Sequence, residues 1–238
     1  MNGFLILGFF AGMGHALEAD HLAAVGAMAA GRSSPKRLAF LGALWGLGHT
    51  ITLFLLCSAV IVFGFVLNDR SAAVLEFAVG VMLVILGLDV LRRMQTAKVH
   101  FHVHDHGDGA PHIHAHSHLG STLPHAQDPH DHKHPKGFPI KPLLVGLVHG
   151  AAGSAGLLAL ALAASRDTWL AIFYVLIFGV GSMCGMATLT FVASWPLGIA
   201  ERSTKWLDRG LHIAISCVAI GLGLSVIFKA GHIVWGSA

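Results

Sequence analysis

Two imidazoles and two carboxylates fall within one short stretch of the chain, at His15, Glu18, Asp20 and His21. The residues on either side are apolar or glycine, so this stretch has the composition of a membrane helix everywhere else. A charged side chain at the centre of a bilayer costs about 2.5–3.5 kcal/mol, and membrane proteins keep such residues mainly along ion or proton paths. Imidazole and carboxylate suit divalent first-row metals such as nickel, cobalt, zinc or manganese. The stretch therefore predicts a divalent-metal site inside a membrane.

Helical geometry limits how these four side chains can act together. Successive residues turn by about 100° around a helix, and His15 and Asp20 would lie about 7.5 Å apart along a straight axis. A straight helix cannot direct all four groups to one ion. Either Glu18 does not bind the ion, or the helix unwinds near Gly12 and Gly14. The simpler alternative is that these histidines and acids only pair with one another across helices.

Three further polar residues lie in glycine-rich apolar surroundings. His49 follows Trp45-Gly46-Leu47-Gly48, and we interpret it as a metal ligand or a residue of the ion path. A lone histidine in a membrane helix can also be a simple hydrogen-bonding group between helices. We expect His149, Ser182 and Glu18 to lie along the ion path or behind the ligands.

Six apolar runs must position these residues. The chain is 55% hydrophobic and 11% charged, with a mean hydropathy of +0.70. Each run has roughly 20 residues or more, enough to cross about 30 Å of hydrocarbon. The predicted fold is an all-α polytopic membrane bundle of about six transmembrane helices. The runs are Phe4–Ala30, Leu38–Leu67, Ala72–Leu91, Pro142–Ala164, Trp169–Trp195 and Leu211–Phe228.

The basic residues predict the orientation of the bundle. Most Lys and Arg residues fall in the loops of one side, whereas the other side holds only Arg70, Arg166 and Lys229. By the positive-inside rule, both termini lie outside the cytoplasm. The net charge of +3 is too small and scattered to indicate nucleic acid. The three cysteines have no paired spacing that would indicate a disulfide framework or a zinc knuckle.

A histidine-rich segment separates the chain into residues 1–92 and 142–238, two predicted three-helix units. Residues 93–141 have little apolar content, and we expect a disordered cytoplasmic loop that buffers metal. A pH-responsive solubilising linker is the alternative. Its twelve histidines are His100, His102, His104, His106, His112, His114, His116, His118, His125, His130, His132 and His134.

The two three-helix units share short motifs at nearly constant offsets. Gly12-Met13-Gly14-His15 matches Gly146-Leu147-Val148-His149, and Gly46-Leu47-Gly48-His49 matches Gly179-Val180-Gly181-Ser182. A third match joins Leu86–Val90 to Leu222–Val226. Because three is an odd number of spans, the second unit must be inverted in the membrane. Inverted repeats with glycine-interrupted helices are typical of secondary transporters, whose site lies near the midplane.

These motifs resemble those of the nickel/cobalt transporter family. His15-x4-Asp20-His21 matches the family signature, and Leu47-Gly48-His49-Thr50 resembles its second motif. The residues around His149 are similar to the related urease-accessory-type membrane proteins. The resemblance implies that His15, Asp20, His21 and His49 bind Ni²⁺ or Co²⁺. The best-known importers of the family have eight spans, of which this chain lacks the first, and their later motifs are not evident after Pro142. The histidine-rich segment resembles that of nickel/cobalt exporters.

The expected function is secondary transport of Ni²⁺ or Co²⁺ across the cytoplasmic membrane, with import slightly favoured. The alternatives are efflux, or a membrane metal sensor or chaperone that serves urease or hydrogenase maturation. We expect no enzyme activity, because the apolar runs contain no His-x3-His or His-Glu-x2-His pair and no phosphate-binding loop. The expected partners are the transported ion, lipid and metallochaperones, with no prosthetic group, and a homo-oligomer is compatible with the sequence.

Overall fold

The computed structural model describes residues 2–30, 34–64, 68–96, 99–104, 112–117, 139–152, 167–202 and 204–236. Helices dominate these residues, as the sequence predicts. Pro35 begins a long helix directly after Ser34, and Gly64 ends it in the left-handed conformation at φ 67°. In chain order the elements are α1 (Asn2–His15), α2 (Ala19–Ala29), α3 (Pro35–Phe63), α4 (Asp69–Thr96), β1 (Val99–His104), β2 (His112–Ser117), α5 (Ile140–Ala152), α6 (Thr168–Arg202) and α7 (Lys205–Trp235).

Four of these helices, α3, α4, α6 and α7, are long and apolar enough to cross a membrane. They correspond to the second, third, fifth and sixth apolar runs. Large apolar side chains are exposed along their outer surfaces, as expected where lipid replaces water. Helices α6 and α7 carry exposed tryptophans near both of their ends. Trp169 and Trp195 lie near the start and the end of α6, and Trp206 and Trp235 lie near the start and the end of α7. Tryptophan at both ends of a bundle is typical of the two membrane interfaces.

The first apolar run is not one spanning helix, so the predicted count of about six spans is not exactly matched. It forms α1 and α2, which are separated by Ala16, Leu17 and Glu18. Unwinding near Gly12 and Gly14 is one of the two alternatives for this run, and the structure has the break slightly later, after His15. Helix termini inside the bundle explain the polar residues there, since acids are favoured at helix N-termini. Of the fourth run, the structure describes the part in α5, and residues 153–166 lie outside the described residues.

The helices pack in matched pairs. Helix α3 packs against α6 and α4 packs against α7, while the short helices α1 and α5 pack against α6 and α3 respectively. Small residues allow these close approaches. A side chain at Gly12 would collide with the backbone carbonyl of Phe178, and one at Gly146 would collide with the carbonyl of Trp45. These two contacts pair residues that occupy equivalent positions in the sequence motifs of the two units.

The histidine-rich segment contains two short strands. Strands β1 and β2 pair antiparallel, and their register places His100 opposite His116, His102 opposite His114 and His104 opposite His112. This departs from the expectation of disorder for these residues. The alternation of histidine with other residues has the period of two that a strand requires. The other six histidines of the segment, His106, His118, His125, His130, His132 and His134, lie outside the described residues.

Candidate metal centre

The break between α1 and α2 places His15 and His21 side by side. The amides of Leu17 and Glu18 donate to the carbonyls of Gly14 and His15 at 2.9 and 3.1 Å, which tightens the end of α1. Glu18 is extended and precedes the first residue of α2. The imidazole ring centroids of His15 and His21 are therefore only 4.5 Å apart. In an unbroken helix these residues would lie about 9 Å apart along the axis.

Two more imidazoles complete the group. His49 of α3 lies 5.3 Å from His15 and 5.3 Å from His21, measured between ring centroids. His149 of α5 lies 4.1 Å from His21 and 6.0 Å from His49. His21, His49 and His149 are almost fully buried. The structure thus brings together histidines from four helices, and the first and the last of them, His15 and His149, are more than a hundred residues apart in the sequence.

Three of these histidines converge closely enough to share an ion. One ring nitrogen from each of His15, His21 and His49 lies within 4.8 Å of the others. Nε2 of His15, Nε2 of His21 and both ring nitrogens of His49 are buried without a hydrogen-bond partner in the described part of the chain. Burying an unpartnered polar group costs free energy, so a buried cluster of such nitrogens indicates that something else satisfies them. Neutral imidazole nitrogens are ligands that nickel, cobalt and zinc accept.

The carboxylates lie behind the imidazoles. His15 Nδ1 donates to Glu18 Oε1 at 2.7 Å. His21 Nδ1 donates to Asp20 Oδ1 at 3.1 Å, and His149 Nε2 donates to Asp20 Oδ2 at 3.0 Å. Asp20, His21 and His149 form a second group whose ligand atoms lie within 4.8 Å of one another. Of the four predicted ligands, His15, His21 and His49 therefore share one group, and Asp20 shares another with His21 and His149.

Ser182 lies on α6 where α1 approaches it. The residue is fully buried, and its Oγ has no hydrogen-bond partner in the described residues. A side chain at Gly12 would come within 2.9 Å of the Ser182 amide. The corresponding contact in the other unit joins Gly146 to the His49 amide, also at 2.9 Å. Ser182 thus occupies the position in α6 that His49 occupies in α3.

Two aromatic residues at the site were not predicted. The indole of Trp45 lies 5.4 Å from His21 and 5.6 Å from His149, and the ring of Phe178 lies 5.5 Å from His15. Trp45 is fully buried, and its Nε1 has no partner among the described residues. The signal that could have found both rings was the motif offset, because Trp45 and Phe178 each lie four residues before His49 and Ser182.

Comparison with known proteins identifies two relatives. No family model matches the chain, and no solved structure matches it. The urease accessory protein UreH of Bacillus sp. (strain TB-90) is 30% identical over 228 residues, which cover 95% of this chain and 91% of that protein. The chloroplast protein FOR GROWTH AND FERTILITY 2 of Arabidopsis thaliana is 28% identical over 227 residues, which cover 92% of this chain and 55% of that protein.

The similarity to UreH extends over nearly the full length of both proteins. It agrees with the resemblance seen in the first two motifs, and with a membrane protein that has four helices long and apolar enough to cross a bilayer. The chain therefore belongs to the nickel/cobalt transporter family, together with the urease accessory protein UreH.

Proposed function

We propose that this protein is a secondary transporter that carries Ni²⁺ or Co²⁺ across the cytoplasmic membrane, in the direction of import. The observation that carries the proposal is the group of His15, His21 and His49, which lie close enough to share an ion and each have a buried ring nitrogen without a hydrogen-bond partner among the described residues. A structural histidine in a bilayer would be expected to have its nitrogens satisfied by neighbouring helices. An imidazole cluster of this kind is instead suited to a desolvated divalent cation.

The ion is the transported substrate, and the three imidazoles would replace part of its hydration shell. Glu18 and Asp20 would offset its charge from behind the ligands, through hydrogen bonds to His15 and His21. The aromatic rings of Trp45 and Phe178 exclude water from the side of the group nearest to them. We propose a carrier and not an enzyme, in keeping with a relative that is named as an accessory protein.

The proposed transport cycle uses two inverted three-helix repeats, residues 1–92 and 142–238. The paired contacts of Gly12 with Phe178 and of Gly146 with Trp45 support this relationship. Rocking of one repeat against the other would expose the ion to each side in turn. In the orientation given by the basic loops, both termini lie outside, and residues 93–141 receive or buffer the ion in the cytoplasm.

Flux into liposomes tests this function directly. Purified protein is reconstituted around a metal-sensing dye, Ni²⁺ is added outside, and an inside-negative potential or a proton gradient is imposed. We expect saturable Ni²⁺ entry that Co²⁺ inhibits, and that His21→Ala abolishes. Liposomes without protein provide the control. Failure to move Ni²⁺ or Co²⁺ under any of these gradients would contradict the transporter proposal.

The name of the relative favours one second candidate. An accessory protein could bind nickel in the membrane and pass it to maturation proteins without transporting it, as a sensor or chaperone. This candidate predicts tight Ni²⁺ binding by purified protein together with no flux in the same liposomes. Deleting residues 100–134 separates the candidates further, because a transporter should retain flux whereas a delivery protein should lose transfer to its acceptor.

A further inference from the structure

Asp20 has different surroundings from the other residues of the predicted site. Its Oδ1 accepts hydrogen bonds from the backbone amide and Nδ1 of His21, at 2.9 and 3.1 Å. Its Oδ2 accepts a hydrogen bond from Nε2 of His149 at 3.0 Å. Both carboxylate oxygens are therefore engaged by imidazoles, one on α2 and one on α5.

The geometry of the imidazole ring separates Asp20 from an ion bound at His21. The two ring nitrogens direct their bonds to opposite sides of the ring, and Nδ1 of His21 is used by Asp20. A carboxylate can only accept, so Nδ1 carries the proton and Nε2 carries the lone pair. Nε2 is the nitrogen that is buried without a partner in the part of the chain that the structure describes. An ion held by Nε2, together with His15 and His49, lies on the far side of the ring from Asp20.

We propose that Asp20 is a positioning residue, which holds His21 and His149 in place and does not itself bind the transported ion. This inference rests on the proposed function. A carboxylate behind a ligating histidine fixes the protonated nitrogen and the ring orientation, and it strengthens the other nitrogen as a ligand. Here the same carboxylate also joins α2 of the first proposed repeat to α5 of the second.

The alternative position for an ion, among Asp20, His21 and His149, requires more rearrangement. An ion there would have to displace both imidazole protons that now donate to Asp20. The position formed by His15, His21 and His49 needs no such displacement, because the nitrogens concerned have no partners among the described residues. The two positions differ in one observable property, which is the presence of a carboxylate oxygen among the ligands.

Cobalt binding to the purified protein tests this assignment. Co²⁺ reports its ligands through its visible absorption bands, and X-ray absorption counts the imidazoles around it. We expect Asp20→Asn to weaken Co²⁺ binding about 10–100-fold, the range found for partners behind metal ligands. At saturating Co²⁺, the bands and the number of imidazoles should equal those of the wild type. A spectrum that changes at saturation, with loss of an oxygen ligand, would overturn the inference while leaving the transporter proposal intact.

A second variant keeps the test decisive if Asp20→Asn does not fold. His149→Leu removes the one hydrogen bond that Asp20 accepts from α5. It should weaken Co²⁺ binding in the same direction with an unchanged spectrum at saturation. The double variant should bind no more weakly than Asp20→Asn alone, because the two residues act through one contact. A changed spectrum in His149→Leu would overturn the inference, and absence of Co²⁺ binding by the wild type would overturn the proposed function as well.

Discussion

The two short helices α1 and α5 make the same backbone contacts and carry different chemistry. Gly12 of α1 packs against the backbone of α6 at Phe178, and Gly146 of α5 packs against the backbone of α3 at Trp45. Each helix has a histidine in its last turn, since α1 ends at His15 and α5 ends at Ala152, three residues after His149. The packing of the two halves is therefore equivalent at these points.

The side chains around these contacts are not equivalent. Helix α3, against which α5 packs, carries His49. Helix α6, against which α1 packs, carries Ser182 at the matching position. After His15 the chain continues to Glu18, Asp20 and His21, while the matching positions after His149 hold no acid and no histidine. Close packing leaves little freedom to change glycines, but side chains at the proposed ion position can diverge. The glycine contacts are shared between the two units, whereas the proposed ligands come mostly from one of them.

The strongest test of this comparison substitutes His49 and Ser182, the two residues at matching positions, each in a separate variant. We expect His49→Gln to reduce Ni²⁺ binding by about 100-fold or more, because losing a ligand costs at least as much as losing a partner behind a ligand. We expect Ser182→Ala to bind Ni²⁺ within about twofold of wild type, since that hydroxyl belongs to neither histidine group. Isothermal titration of purified protein with Ni²⁺ measures both values.

Ni²⁺ flux in liposomes, measured for both variants, provides the control for folding and for transport. Ser182→Ala is the matched variant, because it lies at an equally buried position of the other half. If Ser182→Ala weakened Ni²⁺ binding as much as His49→Gln, the two halves would contribute equally to the site. The proposal that the two units share their glycine contacts but not their metal ligands would then be wrong.

Much of this contrast could be predicted from residue types. The cost of Glu18 and Asp20 inside an apolar run pointed to the candidate site, and the angles of a straight helix offered a break as one of two alternatives, which the structure shows after His15. The matching glycine motifs pointed to paired contacts, which the structure places at Gly12 and Gly146. These features depend on local composition and spacing, which a single sequence contains.

The remaining features depend on contacts between distant segments. The sequence motif put Asp20 beside His21 but could not show that His149, from α5, would occupy its second oxygen. The position of Trp45 against two imidazoles depends in the same way on how α3 meets α2 and α5. In the histidine-rich segment, low apolar content favoured disorder, whereas the pairing of β1 with β2 depends on register between two stretches.

A second test addresses the glycine contacts that the two units share. Adding a methyl group by Gly12→Ala or Gly146→Ala forces it against a backbone carbonyl of the neighbouring helix. We expect each variant to lower the free energy of unfolding by about 1–3 kcal/mol, the usual cost of overpacking, and by similar amounts in the two halves. Thermal unfolding of purified protein in detergent measures the loss.

Gly221→Ala is the matched control for these glycines. It lies within α7, and a methyl group there would meet no atom of another described helix within 4 Å. Alanine favours a helix interior over glycine by about 1 kcal/mol, so this variant should be neutral or slightly stabilised. A large loss at Gly12 with none at Gly146 would show that the paired contacts do not carry equal weight.

The smallest expected effect concerns an ion pair without a counterpart in the other half. Lys141 Nζ of α5 lies 2.6 Å from Asp89 Oδ2 of α4, whereas the matching positions hold Leu7 and Ser225. The lysine is 60% exposed, and Asp89 keeps Arg93 Nη2 at 3.4 Å when the lysine is removed. Exposed ion pairs contribute about 0–1 kcal/mol, and salt screens them. We therefore expect Lys141→Met to lower the unfolding free energy by less than about 1 kcal/mol, with a smaller difference from wild type at high salt. A loss as large as that of Gly146→Ala, unaffected by salt, would mean that this contact between the halves carries as much of the stability as the glycine packing.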